Sequence, residues 1–211
     1  IIGRTYHSLL THISLDNPSK LILGSNYLQW NRGSLFQESI YPLDDHTIKL
    51  KFWSFPYLLY SSISFHRELL KHVDFHLNEQ LRAGVDYELY LRIFAQVRVE
   101  NISKPLVVYT VSPSGMTRSK DSRLYQLSSH QNCLERLLSI PNIYSASDLS
   151  YLIISFLSGS LQHHEKPLLI SELQSFLHIL SCYPDISLNY FSNTITVAQL
   201  KHEFHSFLNS I

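Results

Sequence analysis

Length, composition and charge set the first limits on this chain. It has 211 residues, of which 17 are basic and 17 acidic, so its formal net charge is zero. With 45% hydrophobic and 16% charged residues, it has the composition of a globular protein rather than of a disordered chain. Binding of nucleic acid through a broad basic face needs clustered positive charge, which is absent here, as is a polybasic membrane anchor.

Cysteines and apolar runs predict the cellular setting. Cys133 and Cys182 are far apart in helix-like surroundings and are expected to be free thiols of a reducing compartment. The longest apolar run, residues 149–157, contains two serines and is too short to span a bilayer, and no signal peptide is visible. We therefore expect a cytoplasmic chain, at most peripheral to the membrane. Because the chain starts at Ile1 and its single methionine is Met116, we expect a further segment upstream.

The first half of the chain alternates between strand-like and helix-like segments. Aromatic and β-branched runs bounded by turn residues favour strands, and an aspartate before an apolar-periodic stretch favours a helix start. In chain order, the predicted elements are a helix end at 4–14, a turn at 16–19, a strand at 21–30, a turn at 31–33, a hairpin partner at 34–41, a short helix capped by Asp44 or Asp45 and running toward Phe52, a strand or extended core segment at 57–65 and a short helix at 66–73.

The stretch AGVDYELYLRIF, residues 83–94, begins the next predicted helix. Its apolar positions recur at helical spacing and predict one buried stripe: Tyr87, Tyr90, Leu91 and Phe94. Glu88 and Arg92 are four residues apart, a spacing that suits a helical ion pair. Asp86 lies at the helix entrance, where it is expected to act either as an N-cap or as an exposed functional carboxylate.

The rest of the chain changes from strands to helices. Residues 97–102 and 105–111 are strand-like, the second β-branched enough for a central position, and a loop follows at 112–115. Four segments then carry helical apolar spacing: 119–139, 145–160, 167–182 and 196–209. The sequence therefore predicts an α/β half over residues 1–118 and an α-helical C-terminal region over 119–211.

The order of several segments resembles a known family. SSISFHRELLKHV precedes NEQLRAGVDYELYLRI, and ISKPLVVYTVSPSGMT follows, while NPSKLILGSNY comes earlier. Together these blocks resemble the second, acceptor-side half of a family 2 glycosyltransferase with the GT-A fold. The resemblance covers about residues 4–118 and implies a partial GT-A-like (nucleotide-diphospho-sugar transferase) domain that lacks the N-terminal nucleotide-binding half.

The resemblance also implies an activity and its residues. It implies inverting transfer of a sugar from a nucleotide-sugar donor to a saccharide or other hydroxyl acceptor, in surface polysaccharide or glycoconjugate synthesis. Asp86 matches the general base of the family, which takes the acceptor proton as the oxygen attacks the anomeric carbon. Ser62 and Arg67 match positions near the acceptor, although an exposed arginine without a function is the plainer interpretation of Arg67.

Some positions depart from the family pattern and keep other interpretations open. Val85 stands where a second acid is usual, and Ser112 lies near the position of a metal-binding histidine in many members. The Asp-x-Asp strand is absent, so Mg²⁺ or Mn²⁺ is expected only together with the missing donor-side half. The alternative is a degenerate, non-catalytic remnant that acts as an interaction module. A third interpretation is an unrelated α/β domain with a chance motif.

No metal site is predicted within the chain itself. His202 and His205 are three residues apart and could face the same way on a helix, but no third and fourth ligands follow at a suitable spacing. Asp44, Asp45 and His46 follow Pro42 rather than a buried strand, which favours a helix cap over a metal motif.

Overall fold

The computed structural model describes residues 20–31, 34–110, 120–184 and 195–211 and is a mixed α/β structure. Its strands and helices are β1 (Leu21–Asn31), β2 (Ser34–Ser39), α1 (Asp45–Leu50), β3 (Ser64–Phe65), α2 (Val85–Ile93), β4 (Arg98–Thr110), α3 (Lys120–Leu138), α4 (Ser147–Leu157), α5 (Lys166–Cys182) and α6 (Val197–Leu208). The helix end, turn and loop predicted at 4–14, 16–19 and 112–115 lie outside the described residues.

The sheet is built around β1. β4 runs parallel to β1 along its whole length, from the pair Leu21 and Arg98 to the pair Trp30 and Thr110. β2 and β3 are both antiparallel to β1 and therefore share its other edge, β3 near the start of β1 and β2 near its end. The predicted pairing of 21–30 with 34–41 is confirmed.

The prediction that residues 105–111 form a central strand was wrong. Residues 98–110 form one continuous strand, β4, which pairs with β1 alone among the described strands and has an exposed C-terminal end. Pro105 accounts for the difference, because it has no N–H to donate to a second neighbour. It lies in a bulge where the register jumps from Ser25 opposite Ile102 to Tyr27 opposite Val107.

The buried side chain of Asn26 supplies hydrogen bonds at this bulge. Its Nδ2 donates to Ser103 O at 2.9 Å, and its Oδ1 accepts from Tyr41 N at 2.9 Å. Backbone groups that lose their ladder partners in a bulge need a substitute when they are buried. Asn26 provides one and also fixes the chain at Tyr41, directly after β2.

Residues 57–73 differ from the predicted strand and helix. The segment holds a 3₁₀ turn at Tyr60–Ser62, the two-residue strand β3 and a second 3₁₀ turn at Arg67–Lys71. Tyr57 has a φ of 44°, in the left-handed region, so an extended run cannot pass through it. Ser62 N then donates to Leu59 O at 2.9 Å, which closes the first turn.

The helical half follows the sequence prediction closely. α3 to α6 lie close to the four predicted segments, and α6 begins with a capping box between Thr196 and Gln199. Cys133, buried in α3, and Cys182, exposed at the end of α5, are free thiols, as predicted. None of the described helices is both long and apolar enough to cross a membrane.

The described residues of both halves share one hydrophobic core. Trp53, which follows α1, packs against two rings of α6, with centroid distances of 5.1 Å to Phe204 and 4.7 Å to Phe207. Phe204 also contacts Phe176 of α5 at 5.4 Å. The sequence changes from strand-like to helix-like segments after residue 118, but the described residues of the helical region do not form a separate core.

We expect Phe204→Ala to lower the free energy of unfolding by about 3–5 kcal/mol, because it leaves a cavity between aromatic rings from both halves. Tryptophan fluorescence, which reports on Trp30 and Trp53, and far-UV circular dichroism should give one coincident transition during urea unfolding. Exposed Ser206→Ala in the same helix is the control and should change stability by less than about 0.5 kcal/mol. Separate transitions in the wild type would contradict a shared core.

Candidate functional site

The start of α2 is set by Gly84 rather than by Asp86. Gly84 is the N-cap, with a φ of 71°, and Glu88 N donates to its carbonyl at 3.1 Å. A Cβ on Gly84 would lie 2.7 Å from Ser129 Oγ of α3, so both the backbone angle and the contact between helices require glycine. The interpretation of Asp86 as the N-cap was therefore wrong, because the N-cap lies two residues earlier, at Gly84.

Asp86 is the second residue of α2 and is half-buried. Its Oδ1 accepts a hydrogen bond from Tyr87 N at 3.0 Å, which satisfies one of the free N–H groups of the first turn. A carboxylate at this end of a helix is also stabilised by the helix dipole. Asp86 thus has a structural role, and its other oxygen has no described partner that would prevent contact with a ligand.

The rest of α2 is a rigid support for this carboxylate. Tyr87, Tyr90 and Phe94 are buried as predicted, whereas Leu91 is only half-buried. The Tyr87 ring stacks on Phe52 at 4.4 Å, and its hydroxyl donates to Phe52 O at 2.7 Å. Contacts along one side of the helix therefore fix the position of its first turn.

The predicted ion pair of α2 also forms. Arg92 Nε lies 2.8 Å from Glu88 Oε1, and Arg92 Nη1 lies 3.3 Å from Asp74 Oδ2. Arg92 further donates from Nη2 to His76 O. This arginine ties the loop before α2 to the helix and acts as a structural residue, as the sequence suggested.

Two residues of α3 lie near the start of α2, and no sequence pattern predicted either of them. Ser129 lies against Gly84, and the His130 ring lies 4.5 Å from the Tyr87 ring. Burial lowers the pKa of His130, while the charge of Asp86 acts in the opposite direction. His130 also lines a cavity of about 570 Å³ that extends to Phe55.

Two buried hydroxyls at this site have no hydrogen-bond partner among the described residues: Tyr90 Oη and Ser129 Oγ. Burial raises the pKa of Tyr90 well above its usual value, and the nearby Asp86 charge raises it further, followed by Tyr60 and Tyr41. Tyr90 is therefore a neutral phenol at physiological pH. An unpaired buried hydroxyl costs about 1–3 kcal/mol, so a buried water is the natural partner.

Ser62 and Arg67 occupy different environments. Ser62 is buried, donates from Oγ to Leu59 O at 2.8 Å and accepts from Ser25 N at 3.2 Å. Its hydroxyl is therefore engaged in holding the 3₁₀ turn to β1. Arg67 is exposed at the start of the next 3₁₀ turn, and no described contact links it to Asp86.

A cluster of five aromatic rings, here called the aromatic surface, lies beside this site: Tyr27, Tyr41, Phe55, Tyr57 and Tyr109. Tyr41 is the hub, 8% exposed, and contacts Tyr27, Phe55 and Tyr57 at 5.6–5.9 Å. Tyr109 lies against Tyr27 at 6.0 Å and is 37% exposed. Sequence spacing does not reveal the surface, because its rings come from distant segments.

Tyr57 is held in a strained conformation within the aromatic surface. A non-glycine residue in the left-handed region costs about 1–3 kcal/mol and persists only where its surroundings enforce it. Here Asn101 Nδ2 donates to Tyr57 O at 2.7 Å, and the Tyr57 hydroxyl lies 3.4 Å from Ser54 Oγ. Strain of this kind is concentrated at functional sites.

The residues considered as metal ligands have other roles or lie apart. Asp44 caps α1 by accepting from Thr47 N at 2.8 Å, as predicted, and Asp45 pairs with Lys49 at 2.9 Å. His202 and His205 line a cleft together with Lys201, whose positive charge is unfavourable to a metal ion. No group of three or more histidine, cysteine, aspartate or glutamate side chains at metal-binding distance occurs within the described ranges.

No protein-family model, curated protein or solved structure matches this chain.

We expect His130 to titrate below its ordinary pKa of 6.5, and Asp86→Asn to lower the value further, because the variant removes the negative charge that favours the imidazolium. The unfolded chain then binds the proton more readily between the two pKa values, so His130 lowers folding stability as the pH falls from 6.5 through its folded pKa.

Histidine NMR titration measures this, with the His130 signal assigned by its loss in His130→Gln. Asp148→Asn, at the second position of α4, is a matched control and should leave the signal unchanged. A pKa above 6.5, or one insensitive to Asp86→Asn, would show that the two groups are not coupled.

Proposed function

We propose that this chain is the acceptor-side part of an inverting, family 2-like glycosyltransferase with a GT-A-like fold. It moves a sugar from a nucleotide-sugar donor to a hydroxyl acceptor in the synthesis of surface polysaccharide or glycoconjugate, at the cytoplasmic side. The observation that carries the proposal is the half-buried Asp86 carboxylate on a rigid helix start, beside the unpartnered buried hydroxyl of Tyr90. A ligand hydroxyl would meet the carboxylate oxygen of Asp86 that is not bonded to Tyr87 N, whereas Tyr90, 0% exposed, stays out of its reach.

The chemistry assigned to Asp86 is general-base catalysis. The acceptor O–H gives its proton to the carboxylate while the oxygen forms a bond to the anomeric carbon. The bond from that carbon to the diphosphate breaks, and its electron pair leaves with the nucleotide diphosphate. Such proton transfer contributes typically about 10²–10⁴-fold to the rate.

Tyr90 and His130 have supporting roles in this proposal. Tyr90 is 0% exposed and its pKa is raised, so it keeps its proton and adds no second negative charge near Asp86. His130, with a lowered pKa, is neutral near pH 7 and leaves the negative charge of Asp86 available as a base. Both side chains are held by burial, so the geometry needs little reorganisation.

The charge on the leaving diphosphate needs a separate partner. Mg²⁺ or Mn²⁺ commonly supplies it, but the described residues present no ligand set of three or more acidic, histidine or cysteine groups. The residues seen here therefore do not fit a metal site on their own. Where metal binding occurs, we assign it to a donor-binding segment. No step that we assign to this chain involves a metal ion.

A second candidate function is a non-catalytic interaction module. Val85 stands in the place of the second acid of the family, and Asp86 already has a structural partner in Tyr87 N. In that case the exposed rings of the aromatic surface would be the contact region, and the carboxylate would only stabilise α2.

The test is nucleotide-sugar consumption by the longest natural reading frame that contains this chain, with Mg²⁺ or Mn²⁺ and a panel of donors and acceptors. We expect Asp86→Asn to lower kcat by about 10²–10⁴-fold, because the isosteric amide cannot take the acceptor proton. Asp148→Asn removes a carboxylate from the equivalent helix position and should leave kcat unchanged.

Thermal unfolding of both variants controls for folding. A folded but inert wild type, or an Asp86→Asn variant with full activity, would refute the general-base role and favour the interaction module.

A further inference from the structure

The exposed rings of the aromatic surface suit a ligand that has both apolar faces and polar edges. Its ring pairs meet at interplanar angles of 54–89°, so the rings form walls of different orientation rather than one flat apolar patch. Phe55 is 43% exposed and Tyr109 37%, whereas the hub Tyr41 is buried between them. Ring faces are therefore open to solvent around a fixed centre.

The chemistry of these rings selects a class of ligand. An aromatic face carries partial negative charge and attracts polarised C–H groups, while the phenol hydroxyls donate and accept hydrogen bonds. None of the five residues is charged, and Gln29 lies opposite Tyr109 in the β-ladder. A sugar ring has C–H faces and hydroxyl edges and no net charge, which matches both properties.

The aromatic surface also leads to the Asp86 site. Phe55 lines the same cavity of about 570 Å³ as His130, whose ring lies against Tyr87, the residue after Asp86. The exposed ring of Phe55 thus lines the same cavity as His130, next to the start of α2.

We propose that the aromatic surface binds a neutral saccharide by stacking on Tyr109 and Phe55, with one saccharide hydroxyl directed to Asp86. The direction of that hydroxyl rests on the proposed function, whereas the binding itself does not. The strained backbone of Tyr57, enforced by Asn101, fixes the central wall of the surface before the ligand arrives.

The experiment is isothermal titration calorimetry of the full chain with neutral tetrasaccharides of glucose, galactose or mannose, and with a hyaluronan tetrasaccharide as the anionic counterpart. We expect saturable binding of at least one neutral compound, weakened at least tenfold by Tyr109→Ala and by Phe55→Ala. Tyr109→Phe should keep most of the affinity, because it keeps the ring.

Trp30→Ala is the matched control. Trp30 is 39% exposed and lies on the same strand as Tyr27 but at odd spacing from it, so its side chain projects from the opposite face of β1. Its removal should leave affinity unchanged. Circular dichroism of each variant separates loss of binding from loss of fold.

Three results would overturn the proposal. Absence of binding to every neutral compound removes the ligand class, and preference for hyaluronan shows that a cation such as Arg123, which also lines the cavity, selects the ligand. Equal losses for Trp30→Ala and Tyr109→Ala place binding elsewhere. Saccharide binding without sugar transfer would refute the proposed function alone and leave this inference standing.

Discussion

The structure depends most on the buried amide of Asn101 in β4. Its Nδ2 donates to Pro42 O at 2.8 Å and to Tyr57 O at 2.7 Å, and its backbone N donates to Leu43 O at 2.9 Å. One residue thereby joins an edge strand to two separate loops. The close approach is possible because the neighbouring residue of β1 is Gly24, where a Cβ would lie 2.4 Å from Asn101 Oδ1. The loops so fixed carry Tyr41 and Tyr57, the centre of the aromatic surface.

A second close approach joins the two halves of the chain. Gly84 allows α3 to pack directly on the start of α2, which brings Ser129 and His130 next to Asp86. The helical region is therefore part of the candidate site and not only an appendage to the sheet. Contacts from both halves of the chain therefore hold the first turn of α2, which carries Asp86.

The structural and chemical interpretations of Asp86 are compatible. One carboxylate oxygen satisfies Tyr87 N and so stabilises the first turn of α2. The same bond fixes the side-chain orientation, which a catalytic carboxylate also needs. The unpartnered hydroxyls of Tyr90 and Ser129 are harder to explain by folding alone, because each weakens the buried core unless something binds there.

The sequence by itself determined the local elements of this protein. The spacing of apolar residues predicted the four C-terminal helices and the buried side of α2, and the pair Glu88 and Arg92 formed as expected, because these contacts join residues a few positions apart. Only the tertiary structure decided that β4 lies at an edge, that Tyr57 is strained and that Gly84 rather than Asp86 caps α2. It alone brought His130 to Asp86 and assembled the aromatic surface. Those features arise from packing between residues distant in the chain, which no local periodicity encodes.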